Sequence, residues 1–379
     1  MRASTGKDGT SRYIVCVTRL CNNKCFFCYS GRDRKKDEMI PTEEILEYVR
    51  RLKRDSASGA EMLIITGGEP TLHPDLPEII RKAKRYGYKH VRVISNGRML
   101  ANEKLVLDLK EAGLDDIVLS LHSHIKADFE VISGAKGSYV QALRGLLNVR
   151  KHGIRCFINI VVNRVNYKKL SETVRFFISL GMKDVHLFQV QPFGSSWKTD
   201  GYPMDPPETA YTYFQKVFSL PIPKDVRIET NKIPEYYLEH FEQYIGEPGK
   251  FEDNVLGRYP ELSSYVDGAE RIACRGPRCA LCYFQGYCRD LERVMKEGDL
   301  KSRESPKCIK VMGVKKGKTF RKDKQFTLES FTDFYIQHRH FVKSLRCKRC
   351  VHFDRCDGAW VEDIRAGGFK ILRPVVEKE

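Results

Sequence analysis

The sequence has no run of about 18 apolar residues, so it predicts no membrane-spanning helix. The stretch from Met1 to Ser11 is polar and lacks the apolar centre of a secretory signal, which predicts a cytoplasmic protein. Heptads are missing, and with them any sign of a coiled coil. A cytosolic address also removes the usual reason for structural disulfides. Yet 13 of the 379 residues are cysteine, so clusters of them point to metal binding or chemistry.

Those cysteines are spread unevenly. Cys21, Cys25 and Cys28 form one group; Cys274, Cys279, Cys282, Cys288 and Cys308 a second; Cys347, Cys350 and Cys356 a third. Cys16 and Cys156 stand alone in apolar, strand-like runs and read as small buried hydrophobes.

Apolar residues make up 41% and charged residues 30%, the balance of an ordinary globular chain. The formal charge of +17 would attract anionic partners: RNA, a nucleotide, an acidic peptide or an acidic redox protein. Charge alone does not choose among them.

Up to about residue 200, short apolar runs alternate with amphipathic segments. Strands are predicted at Tyr13–Thr18, Met62–Thr66, His90–Ser95, Asp116–Leu121, Ile154–Val162 and Asp184–Val190. Several are nearly continuous apolar runs, as in a parallel sheet covered on both faces. Between them, Ile45, Tyr48, Val49 and Leu52 mark a helix face behind a cap at Thr42. Ser138 to Gln141 reads as a capping box, with Gly153 ending that helix, and Asn166–Leu180 is a further helix closed by Gly181. Six strand–helix alternations predict an α/β fold, too few for a full eight-stranded barrel. The expectation is a partial (β/α)6 TIM-like barrel with function at the strands' C-terminal ends, followed by a cysteine-rich C-terminal domain. The divisions expected are a flexible N-terminus over 1–12, the barrel over 13–200, a bridging segment over 201–270 and the cysteine-rich domain over 271–379. Pro203, Pro206, Pro207, Pro221 and Pro223 punctuate the bridge, which does not read as another βα unit. Lys307–Lys324 carries eight Lys or Arg against one Asp and reads as an exposed basic loop or hairpin, or as a clamp for an anionic substrate or RNA.

Cys21, Cys25 and Cys28 follow the first strand at spacings of four and three. Three thiolates can hold one corner region of an iron–sulfur cube, whereas a [4Fe-4S] cluster normally takes four cysteines. With three, one iron is left open for another ligand. A zinc knot would need a fourth ligand, and no Cys or His lies between Cys28 and His73; a distant residue could still supply one.

The C-x3-C-x2-C spacing, with Phe27 just before the last cysteine, resembles the radical S-adenosylmethionine (SAM) superfamily. Gly67-Gly68-Glu69-Pro70 after the second strand is similar to that family's glycine-rich segment, which binds the methionine amino group of SAM. Ser95 and Asn96 close the third strand and Ser120 the fourth, at positions where relatives contact the nucleoside or its carboxylate. Many relatives place an arginine about twelve residues beyond that serine; here the residue is Ile132. Asn159, Gln189 and Gln191 are weaker candidates for the same mouth. The resemblance implies a [4Fe-4S] cluster whose open iron binds SAM, and reductive cleavage to methionine and a 5′-deoxyadenosyl radical that takes a hydrogen atom from substrate. No general base is needed to initiate it; His122 and His124 could move protons later or be ordinary loop histidines. It also implies a flavodoxin- or ferredoxin-like electron donor.

Cys279-x2-Cys282-x5-Cys288 and Cys347-x2-Cys350-x5-Cys356 share one spacing. Adding Cys274 and Cys308 gives eight cysteines, enough for two fully ligated clusters. A zinc ribbon would also use two C-x2-C pairs. The pattern resembles the SPASM-type extension of radical SAM enzymes, which implies one or two auxiliary [4Fe-4S] clusters. That family continues with x3-Cys, where this chain has Trp360. Such relatives often modify peptides or proteins, and others make small molecules or cofactors. A zinc-stabilised RNA-binding protein is the reading from another class.

Overall fold

The computed structural model describes residues 3–5, 11–28, 39–55, 61–191, 207–256, 259–276, 279, 282–301, 308, 318–323 and 325–376. Residues 1, 2 and 6–10 of the N-terminus, Pro203 and Pro206, and all of the basic stretch except 308 and 318–323 lie outside the described residues. The chain divides into two units: Met1–Tyr202 with Leu220–Glu229, and Pro203–Ser219 with Thr230–Glu379.

The first unit is built on a sheet whose strands follow chain order. β1 (Ala3–Thr5) lies antiparallel to β2 (Ser11–Thr18). From β2 onward, β3 (Met62–Gly67), β4 (His90–Ser95), β5 (Asp116–Ser120), β6 (Arg155–Val162) and β7 (Asp184–Gln189) run parallel, each to the next. β8 (Arg227–Asn231) takes the far edge. The crossovers are α1 (Thr42–Arg54), α2 (Leu76–Arg85), α3 (Glu103–Glu111), α4 (Lys126–Ser133) with α5 (Ser138–Lys151), and α6 (Leu170–Ser179). This is the expected α/β architecture, an open partial barrel.

Strand alternation separates the two faces of the sheet. Leu63, Ile65, Val91, Val93, Leu119, Ile158, Val185 and Leu187 have no exposed surface, as do Ile79, Ile80 and Ala83 of α2. Each such Leu, Ile or Val contributes about 1.5–3 kcal/mol by leaving water. The other face is mixed. Asp116, fully buried, receives Arg92 through two hydrogen bonds of 2.5 and 2.8 Å and lies 2.6 Å from His90 Nε2. The guanidinium groups of Arg92 and Arg155 lie over the Phe157 ring, 4.5 and 4.7 Å from its centre. Cys156 is buried and Cys16 half-buried within their strands, as small hydrophobes; burial pushes both thiols up.

Three local expectations are corrected. Thr42 is the first helical residue of α1, not its cap: the cap position is Pro41, and Thr42 Oγ1 donates to Asp75 instead. No capping box forms at Ser138; Gly137 occupies the cap with φ +79°, and Ser138 Oγ pairs with Ser133 Oγ at 2.7 Å. The segment read as a bridge supplies a further strand, β8. Its polar sequence concealed it, because Arg227 is spent on Asp184 of β7 at 3.1 Å.

The second unit is mainly helical: α7 (Pro207–Phe218), α8 (Pro248–Leu256), α9 (Tyr259–Val266), α10 (Gln285–Glu297), α11 (Leu328–His338) and α12 (Val361–Gly367). Two small antiparallel pairs, β9 (Asp299–Leu300) with β10 (Phe320–Arg321) and β11 (Phe341–Val342) with β12 (Ala359–Trp360), complete it. Its core is aromatic. Phe251 has the rings of Phe284, Tyr287, Tyr335 and His340 within 4.9–5.6 Å. Arg339 and Asp290 form a buried ion pair at 3.1 Å. No helix among the described residues is long and apolar enough to cross a membrane.

Candidate functional site

The loop after β2 carries Cys21, Cys25 and Cys28, all half-buried. It is fastened by the ends of the neighbouring strands. From β3, Gly68 N donates to Thr18 O and Glu69 N to Leu20 O, each at 2.7 Å. An ideal Cβ on Gly68 would lie 2.0 Å from Leu20 O, and one on Gly67 (φ +143°) 2.3 Å from Thr18 O. The glycines are therefore required by close approach to the cysteine loop itself.

From β4, the Asn96 side chain donates to Asn22 Oδ1 at 2.7 Å and reaches Cys21 Sγ at 3.9 Å. Asn23 N also donates to Cys21 Sγ, at 3.4 Å. Arg98 binds Asn22 O, Asn23 Oδ1 at 3.0 Å and Gln141 Oε1 at 2.7 Å. From the C-terminal end of α4, Ser133 O accepts from Lys24 N at 2.7 Å. Phe27 meets His122, just past β5, edge to face at 5.1 Å.

Glu69 differs from expectation. Its carboxylate, 1% exposed, accepts from Thr71 N (3.1 Å), Thr71 Oγ1 (2.5 Å), Ser95 Oγ (2.7 Å) and Asn96 N (2.6 Å). Burial pushes its carboxyl up, and those four donors pull it back. The charge expected to face a ligand ammonium is committed to joining β3 with β4. Ser95 passes the link on by accepting from Gly97 N at 2.9 Å.

Ser120 stands in register with Asn159 of β6, and Asn159 with His186 of β7, making a polar row across the sheet. Asn159 Oδ1 is buried with no hydrogen-bond partner. An orphaned acceptor beside a serine hydroxyl suits the donor hydroxyls of a ribose. Gln189 lies three residues beyond His186, so alternation puts it on the face opposite Asn159, against the expectation of one shared mouth. Gln191 is buried, with its amide turned back to Gln189 O and Val190 O. Ile132 is core.

His122 is buried, and burial alone pulls its imidazole down to about 4. Its Nδ1 accepts from Val161 N at 3.2 Å, which leaves the ring neutral with its proton on Nε2. His124 Nδ1 pairs with Thr173 Oγ1 at 2.9 Å. Both are hydrogen-bonded loop histidines.

Among the described residues, no three Cys, His, Asp or Glu side chains converge on a single metal ion. Cys21, Cys25 and Cys28 share one loop, with N–H groups of Asn23 and Asn96 directed at the Cys21 sulfur; thiolates with N–H donors to sulfur are the donor chemistry of an iron–sulfur cluster. Sequence reasoning missed Asn22, Arg98 and the Ser133 carbonyl, because loop-to-loop contacts leave no periodic trace. The remaining candidates, Cys274, Cys279, Cys282, Cys288, Cys308, Cys347, Cys350 and Cys356, all belong to the second unit.

Comparison with known proteins agrees with this geometry. A family profile described as the radical SAM superfamily matches residues 15–177. A probable GTP 3′,8-cyclase from Sulfolobus acidocaldarius is 34% identical over 181 residues, 48% of this chain and 56% of that protein. Another from Sulfurisphaera tokodaii is 32% identical over 235 residues, 60% of this chain and 69% of that one. The chain thus spans only a little over half the length of the first of these relatives. The crystal structure of Streptococcus suis SuiB bound to S-adenosylmethionine superposes with a TM-score of 0.50 at 14% identity, covering 96% of this chain and 76% of that one; it shares the fold. The family implies an iron–sulfur enzyme using a [4Fe-4S] cluster and SAM, and the cysteine-rich C-terminal part fits a SPASM-type extension. From cysteine loop to sheet order, this chain is a member of the radical SAM superfamily.

Proposed function

We propose that this enzyme cleaves SAM reductively and removes a hydrogen atom from a peptide or protein substrate. Cys21, Cys25 and Cys28 would hold the cluster, and Gly67, Gly68, Ser95, Asn96, Ser120 and Asn159 would seat the nucleoside and its methionine. The observation that carries the reading is a three-thiol loop tied to the ends of β3 and β4 and packed on His122 past β5. When bound there, cluster and SAM would supply one-electron reductive cleavage of the sulfonium S–C5′ bond, with methionine as the leaving group and hydrogen-atom abstraction as the outcome.

The chain's own residues do the rest. Gly68 and Glu69 fix the loop through Thr18 and Leu20, and Arg98 clasps Asn22 and Asn23. N–H groups at Cys21 lower the energy of its thiolate, a lever on cluster potential. Phe27 and His122 exclude water on one side, and the neutral ring adds no charge beside the cluster loop. Electrons would come from an acidic flavodoxin- or ferredoxin-like donor, drawn by the formal charge of +17.

A peptide or protein substrate is favoured by the eight-cysteine second unit, which resembles the SPASM extension of peptide-modifying enzymes. A small nucleotide substrate is the second reading, supported by the names of the Sulfolobus and Sulfurisphaera relatives. Anaerobically reconstituted protein should be brown and convert SAM to methionine and 5′-deoxyadenosine under dithionite. Cys21→Ala/Cys25→Ala/Cys28→Ala should lose about 4 irons and all cleavage. A colourless, zinc-loaded protein that leaves SAM intact overturns the reading. Deuterium passing into 5′-deoxyadenosine from labelled peptide, or from labelled GTP, decides the substrate class.

A further inference from the structure

We infer that a cavity in the second unit, walled by the first turn of α10, β11 and the stretch 353–357, binds a carboxylate of the peptide substrate through Arg289 and Lys343. The inference rests on the peptide reading above and deepens it by giving the substrate a charge.

The cavity measures about 470 Å3, the size of a small-ligand site. Its charged lining is Glu235, Arg289, Lys343, Lys348, Asp354 and Asp357. Half of these are spent on other partners. Glu235 pairs with His340 Nε2 at 3.1 Å, Lys348 pairs with Glu208, and Asp357 lies 4.0 Å from Arg339. Asp354 is exposed, where water screens its charge.

The two remaining cations have no carboxylate to meet among the described residues. Arg289 is exposed and makes no ion pair there. Lys343 is half-buried; its ammonium donates to Phe353 O at 2.6 Å and lies 4.2 Å from the centre of the Phe353 ring. Neither contact neutralises it. Burial pulls the Lys343 ammonium down, and the Arg289 guanidinium adds to that, so the two like charges act on each other across this space. A third positive element is α10 itself. Gln285, Gly286 and Arg289 bring its first turn to the wall, and its cap position is Phe284, whose side chain offers no acceptor.

A carboxylate answers all three. It accepts two parallel hydrogen bonds from a guanidinium, offsets the lysine, and is favoured at a helix N-terminus. Tyr236, Tyr283 and Phe353 supply apolar wall for the carbon stem that carries it. A triphosphate fits less well, because its several negative charges would meet Glu235, Asp354 and Asp357 on the same lining. The carboxylate can come from an acidic side chain or from the end of a peptide.

The test uses full-length, anaerobically reconstituted protein and two randomised decapeptide libraries. One is acetylated and amidated; the other is acetylated with a free C-terminus. Retained peptides are read by mass spectrometry, and the best are resynthesised for calorimetry. Asp or Glu should be enriched at one position of the amidated set if a side chain is bound. Retention of the free-ended set over the amidated one assigns the chain end instead. Arg289→Gln and Lys343→Met should each weaken the selected peptide at least about tenfold, the loss expected on removing a charge-assisted bond. Arg289→Glu should turn the selection toward Lys or Arg. Iron content and urea midpoints check that each variant folds. Retained peptides with no acidic or chain-end preference, or with an affinity that both Arg289→Gln and Lys343→Met leave unchanged, overturn the inference and leave the peptide reading standing. Retention of no peptide overturns the peptide reading as well. GTP binding that Arg289→Gln abolishes, with no peptide retained, transfers the cavity to the nucleotide reading.

Discussion

The Asn96 amide donates to Asn22 Oδ1 at 2.7 Å, joining the end of β4 to the loop that carries the first three cysteines. Arg98, two residues on, reinforces that join on the same loop. Arg98→Ala should leave the fold intact while loosening the loop, since bonds to a charged group are worth about 1.5–3 kcal/mol. Reconstituted R98A should lose iron to a chelator at least about tenfold faster, the rate equivalent of 1.4 kcal/mol. Arg98→Lys should restore only part, lacking the planar fork that spans several acceptors. Equal chelation rates for R98A and the parent protein would refute this role.

Gly68→Ala should be among the most damaging single changes in the first unit. A Cβ 2.0 Å from Leu20 O forces the cysteine loop away from β3, at a cost of about 3 kcal/mol or more. Gly137→Ala is the control: its φ is +79° but nothing lies within 4 Å, so only about 1–2 kcal/mol of backbone strain applies. Urea denaturation ranks the two, and iron uptake should fail for G68A alone.

That contrast marks what the sequence discloses. The strands were legible because Leu63 and Ile65 sit in an apolar run and Val91 and Val93 alternate with polar residues, the period of a strand. The cysteine spacing and the Gly67-Gly68-Glu69 segment gave the chemistry. The contacts of those residues were not legible: the glycines let β3 approach the loop backbone, and the Glu69 carboxylate accepts from Ser95 and Asn96. β8 escaped because its Arg227 looks solvent-bound until Asp184 is placed beside it. Such pairings lie tens of residues apart and leave no periodicity to read.

Glu69→Gln tests the carboxylate as a hub. One acceptor oxygen becomes an amide nitrogen facing N–H and O–H donors, which should destabilise by about 1–3 kcal/mol. If Glu69 instead served chiefly a ligand ammonium, thermal stability without SAM would be unchanged and only SAM affinity would fall.

His122 gives a pH dependence of definite sign. Its folded value of about 4 lies below the ordinary 6.5, so between them the unfolded chain binds more protons than the folded one. The stability it contributes is complete above pH 6.5 and is lost as pH falls toward 4, on the order of 3 kcal/mol in all. Urea midpoints measured from pH 8 to 5 should fall in the parent protein, and fall less in His122→Gln. Parallel slopes for the two proteins would count against the assignment.

The hydrogen bonds from Gly68, Glu69, Asn96 and Lys24 to neighbouring loops are made by protein groups alone. They clamp the cysteine loop from β3, β4 and α4 at once, so no single neighbouring element can shift without carrying the loop with it. The amides of Lys24 and Gly68 should accordingly exchange slowly, on the scale of the sheet and not of a surface loop.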